Sequence, residues 1–387
     1  MSVGSYAPPS QTDAHEARVE AARRLLVSCL TADRAHCAAA IDVLGLKWLQ
    51  RQSIAPLVWQ TCRDTVPEKM QADLRTAYYA AAADAELHRS ELAEVLRTLH
   101  AAGLLPVVLK GAALAFSVYP DPAFRTMGDL DVWVTEDMER ARQALETSGY
   151  RIFHKPDRPP ALMALFQGEI GLQHGDSKYG LVELHWGIFP GEWLRRAARI
   201  SDLSEMRART ITTRLADEPA LVLSPEDAII QSAVHAAVNH QMSLFALRTL
   251  IDVTMLARTS TIDWSVIAQR ARSWRVATAV WLVLSLAVDL VGLEEAAGAA
   301  HHLQPSALRR RLIRRFVNAE TVIAMRNLSG SNWRYAFLLL LVDRAQDALR
   351  LIGRALWPER EWLQARYGRV TFTLRLQHFA RAARGRM

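Results

Sequence analysis

The sequence predicts an α+β protein in which a mixed β-sheet with flanking helices forms a core between largely helical N- and C-terminal regions. Three observations predict it. Apolar residues recur at helical spacing up to about Ala102. Between about residues 103 and 218 the period changes to that of short strands, and after Pro219 the helical period returns. At 387 residues the chain has room for two or three domains of roughly 100–200 residues and a sizeable core.

The elements follow in order. Residues 1–13 are polar, without an apolar signal core, and are expected as a disordered tail. From Ala14 to Thr61, apolar positions such as Ala22, Leu25, Leu26 and Cys29 share a helix face. Lys69 to Ala102 is a second helical run, ended by Gly103 as a C-cap glycine. These runs make an N-terminal helical region at 14–102. LLPVVLK, residues 104–110, reads as a buried strand, followed by Gly111 and the helix-like AALAFSVY. DLDVWV, 129–134, alternates acidic and apolar residues with strand period. Glu136 to Ser148 reads as a helix closed by Gly149, and 150–154, 170–174 and 181–186 read as further strands, the last two separated by GDSKYG. The core is thus bounded at 103–218. SPED at 224–227 places a Ser cap, a Pro at the first helical position and acids in the first turn. Asp263 in IDW is the expected cap of another helix. Val276 to Leu293 is apolar but interrupted by Thr278, Ser285 and Asp289, which predicts a buried core helix and no membrane span. Gly353 and Pro358 are expected to break the last helices of a C-terminal region at 219–387. There is no internal repeat.

Composition narrows the classes. Half the residues are hydrophobic and 22% are charged, as in ordinary globular proteins. The net charge is +7 with a pI near 9.6. From Arg344 onward there are ten Arg against Asp347, Glu359 and Glu361. Guanidinium groups suit phosphate-bearing partners, although a solvated helical face is the plainer reading. Aromatic residues do not interleave with basic ones in a stripe, so no specific nucleic-acid readout is expected. Cys29, Cys37 and Cys62 form no CxxC pair and have no His at zinc-ligand spacing. Neither a disulfide framework nor a metal cage is expected, and a reducing cytoplasm fits.

Chemistry concentrates around Asp129 and Asp131. Residues two apart on a strand point to one face. Adjacent carboxylates repel and raise each other's pKa unless a cation lies between them, and a hard ion such as Mg²⁺ or Mn²⁺ fits oxygen donors. Lys110-Gly111 stands where a strand gives way to a helix, so backbone N–H groups there make an anion site. Arg125, four residues before Asp129, is placed to reach a phosphate. On LVELHW, 181–186, Glu183 and His185 share a face, and Glu183 is positioned to complete a carboxylate triad with the pair. His185 is either a neighbour supporting that site or an ordinary strand histidine. His235 and Asn239 lie one helical turn apart beside His240, but Asn is a poor zinc ligand. A zinc reading is therefore rejected, and a polar cluster lining the cleft is retained. Arg248 and Asp252 read as a helix ion pair.

LKGAAL, FRTMGDLDVWV and VELHWGIF together resemble an uncharacterised bacterial nucleotidyltransferase family of the DNA polymerase beta-like superfamily. RQSIAPLVWQ, the His235/His240 helix, IDW and LWPEREWLQARYG extend the resemblance from about residue 15 to 380. It implies a polymerase-beta-like core binding NTP, such as ATP, and Mg²⁺. Gly111 falls on the turn glycine, Asp129 and Asp131 on the metal pair and Glu183 on the third acid. Ala112 departs from the usual Ser or Gly, the interval from Gly111 to Asp129 is long, and the third acid is Glu. The implied reaction is NMP transfer to a hydroxyl or phosphate acceptor, in a polysaccharide or peptide natural-product setting. Two alternatives stand beside it: a nucleotide-binding regulatory protein with little catalysis, for which Ala112 and the long interval argue, and a protein adenylyltransferase.

Overall fold

The computed structural model describes residues 11–383, except 32, 136, 154–160, 163–167, 177–179, 190, 192–195, 200–202, 244 and 329–332. Its centre is a seven-stranded mixed sheet. The strands are β1 (Val107–Leu109), β2 (Asp129–Trp133), β3 (Tyr150–Ile152), β4 (Glu169–His174), β5 (Leu181–His185), β6 (Ile211–Leu215) and β7 (Glu218–Val222). Their order is β3-β4-β5-β2-β1-β7-β6. β2 lies between β5, to which it is parallel, and β1, to which it is antiparallel.

The two-residue period of these strands divides the sheet into unlike faces. Val108, Leu130, Val132, Val182 and Leu184 are buried with Leu92, Leu96 and Leu99 of the Glu68–Ala101 helix and with Ala141 and Leu145 of the Met138–Thr147 helix. The opposite face carries Asp129, Asp131, Glu183 and His185. On that side Val107, Leu109 and Trp133 pack into a larger apolar cluster built by helices from both ends of the chain, including Leu26, Leu247 and Leu284. The acids therefore lie between the sheet and a helical body.

Most expected elements form for the expected reasons. Gly103, at φ +72°, follows the Glu68–Ala101 helix. The Ser224 hydroxyl accepts from the Asp227 N–H, and Asp263 accepts from the N–H groups of Ser265 and Val266. The Ala277–Val291 helix is buried along most of its length, and among the described residues no helix is long and apolar enough to cross a membrane.

Several expectations are corrected. A helix already begins at Gln11, while residues 1–10 of the expected tail lie outside the described residues. The sheet runs past the border expected at 218, because β7 ends at Val222. Gly353 lies inside the Ala345–Leu356 helix and does not break it. Cys37 and Cys62 are joined by a disulfide with Cys29 beside them; packing of separate helices brings together sulfurs whose sequence spacing gives no sign of it.

Candidate functional site

The register of the sheet assembles the site. Leu109 pairs with Asp131 across β1–β2, Asp131 with Glu183 across β2–β5, and Glu169 with His185 across β4–β5. Asp131, Glu183 and His185 are buried, and one ligand atom from each lies within 4.8 Å of the others. His185 Nε2 donates to Asp131 Oδ1 at 2.7 Å and stands 3.9 Å from Glu183 Oε2. Its Nδ1 lies 3.5 Å from Glu169 Oε2. Asp129 stands at the edge of this cluster, one pleat along β2. His185 thus joins Asp131 and Glu183 in the cluster, where the sequence reading left it open between a neighbour supporting the site and an ordinary strand histidine.

Electrostatics match a site made for a cation. Burial pushes the Asp129 carboxyl up to about 6, with Asp131 and Glu183 adding to the rise. Burial likewise raises Glu183, reinforced by Glu169 and Asp131. Asp131 goes the other way. Burial alone would raise it, but the Lys110 ammonium and the His185 hydrogen bond hold it well below the usual carboxylate range.

Lys110 Nζ donates to Asp131 Oδ1 at 2.6 Å. Burial disfavours that ammonium, yet Asp131, Glu183 and Glu169 offset the penalty and raise its pKa above the ordinary value. The nitrogen expected at a phosphate therefore sits among carboxylates. Lys110 also takes a left-handed backbone, φ +48°, a conformation that costs a non-glycine residue energy and recurs at functional sites.

The Lys110–Ser117 helix starts here without a side-chain cap, which leaves its first N–H groups available to an anion. Gly111 is needed on packing grounds as well. A Cβ there would lie 3.3 Å from Met127 Cβ and 3.4 Å from Arg125 Nη1.

Arg125 is buried and differently engaged than its place in the sequence implies. Its Nε donates to Asp252 Oδ1 at 2.7 Å, and the Tyr119 hydroxyl donates to the same oxygen at 2.7 Å. The expected Arg248–Asp252 pair is therefore corrected: Asp252 is taken by Arg125, from a distant part of the chain. Arg248 instead donates to the Thr126 carbonyl at 2.9 Å, which Arg125 Nη1 also reaches at 2.6 Å. Burial and the neighbouring Arg125 lower the Arg248 guanidinium to about 9. Arg125 lies beside Gly111, and the two guanidinium groups meet at the Thr126 carbonyl. Sequence reasoning assigned Arg248 only to a helix ion pair and did not single out Glu169, since strand register and helix docking are what bring the two here.

His235 opens a one-turn π-helical segment, His235–Asn239, a feature frequent at functional sites. Its ring meets that of His240 at 4.6 Å between centroids. Burial lowers His235 well below the ordinary value, with Lys110 and His240 adding to the effect. Burial and Lys110 bring His240 to about 4. Both rings are therefore neutral at neutral pH, near the Lys110 ammonium.

A sheet carrying buried acids beside an uncapped helix start is an arrangement that suits nucleotidyl transfer. The family described as uncharacterised nucleotidyltransferase matches residues 44–292, well over half of the chain, and the chain belongs to it. That span is narrower than the resemblance over 15–380, and the helices after residue 292 lie outside it. No curated protein matches the chain. Membership makes the protein a nucleotidyltransferase with a nucleotide substrate, and the buried cluster of Asp131, Glu183 and His185 suggests a divalent metal.

Proposed function

We propose that the protein transfers a nucleoside monophosphate from an NTP, such as ATP, to a hydroxyl or phosphate acceptor of a polysaccharide or peptide natural-product pathway. The observation that carries this reading is the convergence of Asp131, Glu183 and His185 within 4.8 Å beside the uncapped start of the Lys110–Ser117 helix. The donor set fits a divalent cation: two oxygens suit Mg²⁺ or Mn²⁺, and the imidazole leans toward Mn²⁺. Asp129, Asp131 and Glu183 would hold it, with His185 orienting Asp131 or joining as a ligand. When bound, the cation supplies charge neutralisation for the triphosphate and lowers the pKa of the acceptor hydroxyl.

The remaining roles fall to the chain's own groups. The helix N-terminus and Arg248 hold phosphates, Lys110 and Arg125 join them by exchanging Asp131 and Asp252 for phosphate oxygens, and Glu183, already raised by burial, accepts the acceptor's proton. His235 and His240 line the cleft beside Lys110. The test is pyrophosphate release from each of four NTPs with Mg²⁺ or Mn²⁺, with and without cell extract to supply the acceptor. Release is expected from wild type and lost by at least about a hundredfold in Asp129→Asn/Asp131→Asn. Arg248→Ala is expected to raise KM more than it lowers kcat. Unchanged release in the double variant would sink the assignment.

One observation favours the regulatory reading. The Lys110 ammonium pairs with Asp131 Oδ1 at 2.6 Å and so competes with a cation for that oxygen, which suits a nucleotide-binding protein with little catalysis. Nucleotide binding without pyrophosphate release in any arm would select that reading.

A further inference from the structure

The two longest helices after Trp333 turn apolar faces outward. In Phe372–Ala383, Phe372, Leu376 and Phe379 are exposed and, at i, i+4 and i+7, share one face. Leu374 and His378 on the other side are buried, and His378 Nε2 reaches the Ala355 carbonyl at 3.0 Å. In Ala345–Leu356 the pattern repeats. Leu351 and Asp347 face inward, while Leu349 and Ile352 are exposed, followed by Trp357 just past the helix end. Phe372 and Leu349 are 70% and 68% exposed, extreme values for side chains of that size. The two helices pack against each other, so the apolar faces belong to neighbouring elements. Isolated exposed apolar residues need no explanation, but aligned groups on adjacent helices do.

Charge identifies what covers them. The ten Arg and three acids from Arg344 onward leave seven net positive charges, equal to the +7 of the whole chain. All that precedes Arg344 therefore sums to zero. Arg369 and Arg381 are exposed in this segment, and the Arg375 guanidinium lies over the Trp357 ring, 5.1 Å from its centroid. Amphipathic helices with Phe, Leu and Trp on one face and Arg around it lie in the plane of a lipid interface. A second copy would bring two such positive surfaces together and is disfavoured by repulsion. Nucleic acid would satisfy the charges and leave the apolar face in water.

We infer that the two helices Ala345–Leu356 and Phe372–Ala383 dock the protein peripherally on an anionic lipid surface, with Phe372, Leu376 and Phe379 inserted among the acyl chains and the surrounding Arg at the headgroups. The surface lies outside the family match and is independent of the nucleotide reading. The test is co-sedimentation of the full chain with phosphatidylcholine vesicles and with vesicles in which about a third of the lipid is phosphatidylglycerol. Binding to the anionic vesicles is expected to be at least about tenfold stronger than to neutral ones. Phe372→Ser/Leu376→Ser/Phe379→Ser, which alters only exposed side chains and whose fold is checked by thermal melting, is expected to lose most of it. Arg369→Gln/Arg375→Gln is expected to reduce the preference for anionic lipid.

Absence of binding to anionic vesicles overturns the inference. So does binding that the triple serine variant leaves unchanged, since the apolar face would then play no part. Light scattering without lipid supplies a third arm: a dimer that the triple variant converts to monomer assigns the face to a second copy instead.

Discussion

Asp129 is where charge and position conflict most openly. It sits at the half-buried end of β2, and burial with two neighbouring acids lifts its carboxyl from an ordinary 3.8 to about 6. An acid held above its unfolded value binds its proton more tightly in the folded state. The stability it contributes is present below the unfolded value and is lost as pH rises through the folded one. Metal-free protein should therefore lose stability between about pH 4 and pH 6, by up to roughly 2–3 kcal/mol from this group. Asp129→Asn cannot ionise, so its melting temperature in chelator should decline less across that window and exceed wild type at pH 7. Mg²⁺ or Mn²⁺ should then raise the wild-type melting temperature more than that of the variant, because ligand binding to the folded state adds stability. Melting curves from pH 4 to 7, with and without metal, read both effects, and parallel pH profiles for the two proteins would show that Asp129 does not carry the shift.

Between elements, the site depends on one carboxylate that no local pattern reveals. Asp252, on the Ala246–Thr259 helix, accepts from Arg125 and Tyr119, and so ties that helix to the chain leading into β2. Removing one partner of a buried ion pair strands the other charge, at a cost of about 3–5 kcal/mol. Asp252→Ala should therefore lower the melting temperature by several degrees. Arg125→Ala/Asp252→Ala should recover part of the loss, since it leaves no buried charge unpaired; additive losses in that double-mutant cycle would exclude a direct pairing. The sequence could not indicate this pair, because a residue one helical turn away, Arg248, is always the nearer candidate. By contrast, β2 and β5 were legible from their two-residue alternation, and the helices at Pro225 and Trp264 from the caps Ser224 and Asp263. β6 was not legible, because as an edge strand with Ile211, Thr212 and Arg214 exposed it has no buried face to impose alternation. Pro219 disguised β7, since proline reads as a break and is tolerated in strands only in special positions.

Across the whole molecule, the stretches before and after the sheet are segments of one helical body. Trp48 Nε1 donates to the Ile323 carbonyl at 2.9 Å, and Gln52 Nε2 to the same oxygen at 3.1 Å. The Gln11–Leu30 helix packs on Ala277–Val291, and Leu25, Leu26, Leu282 and Leu284 fall in one continuous apolar cluster. Val107, Leu109, Trp133 and Leu221 of the sheet enter the same cluster, while its other face is covered by Leu92, Leu96 and Leu99 from the Glu68–Ala101 helix. A fragment spanning residues 103–222 would therefore expose apolar side chains on both faces of its sheet. Fully burying a Val, Leu or Trp side chain is worth roughly 1.5–3 kcal/mol, and a domain's net stability is only about 5–15 kcal/mol. Losing the cover of both faces together exceeds that margin. The fragment is expected to show no cooperative thermal transition and no dispersed amide spectrum, whereas the full chain shows both. A fragment with a sharp melt and dispersed resonances would establish the sheet as an independent folding unit and remove the helical body from the conditions the site requires.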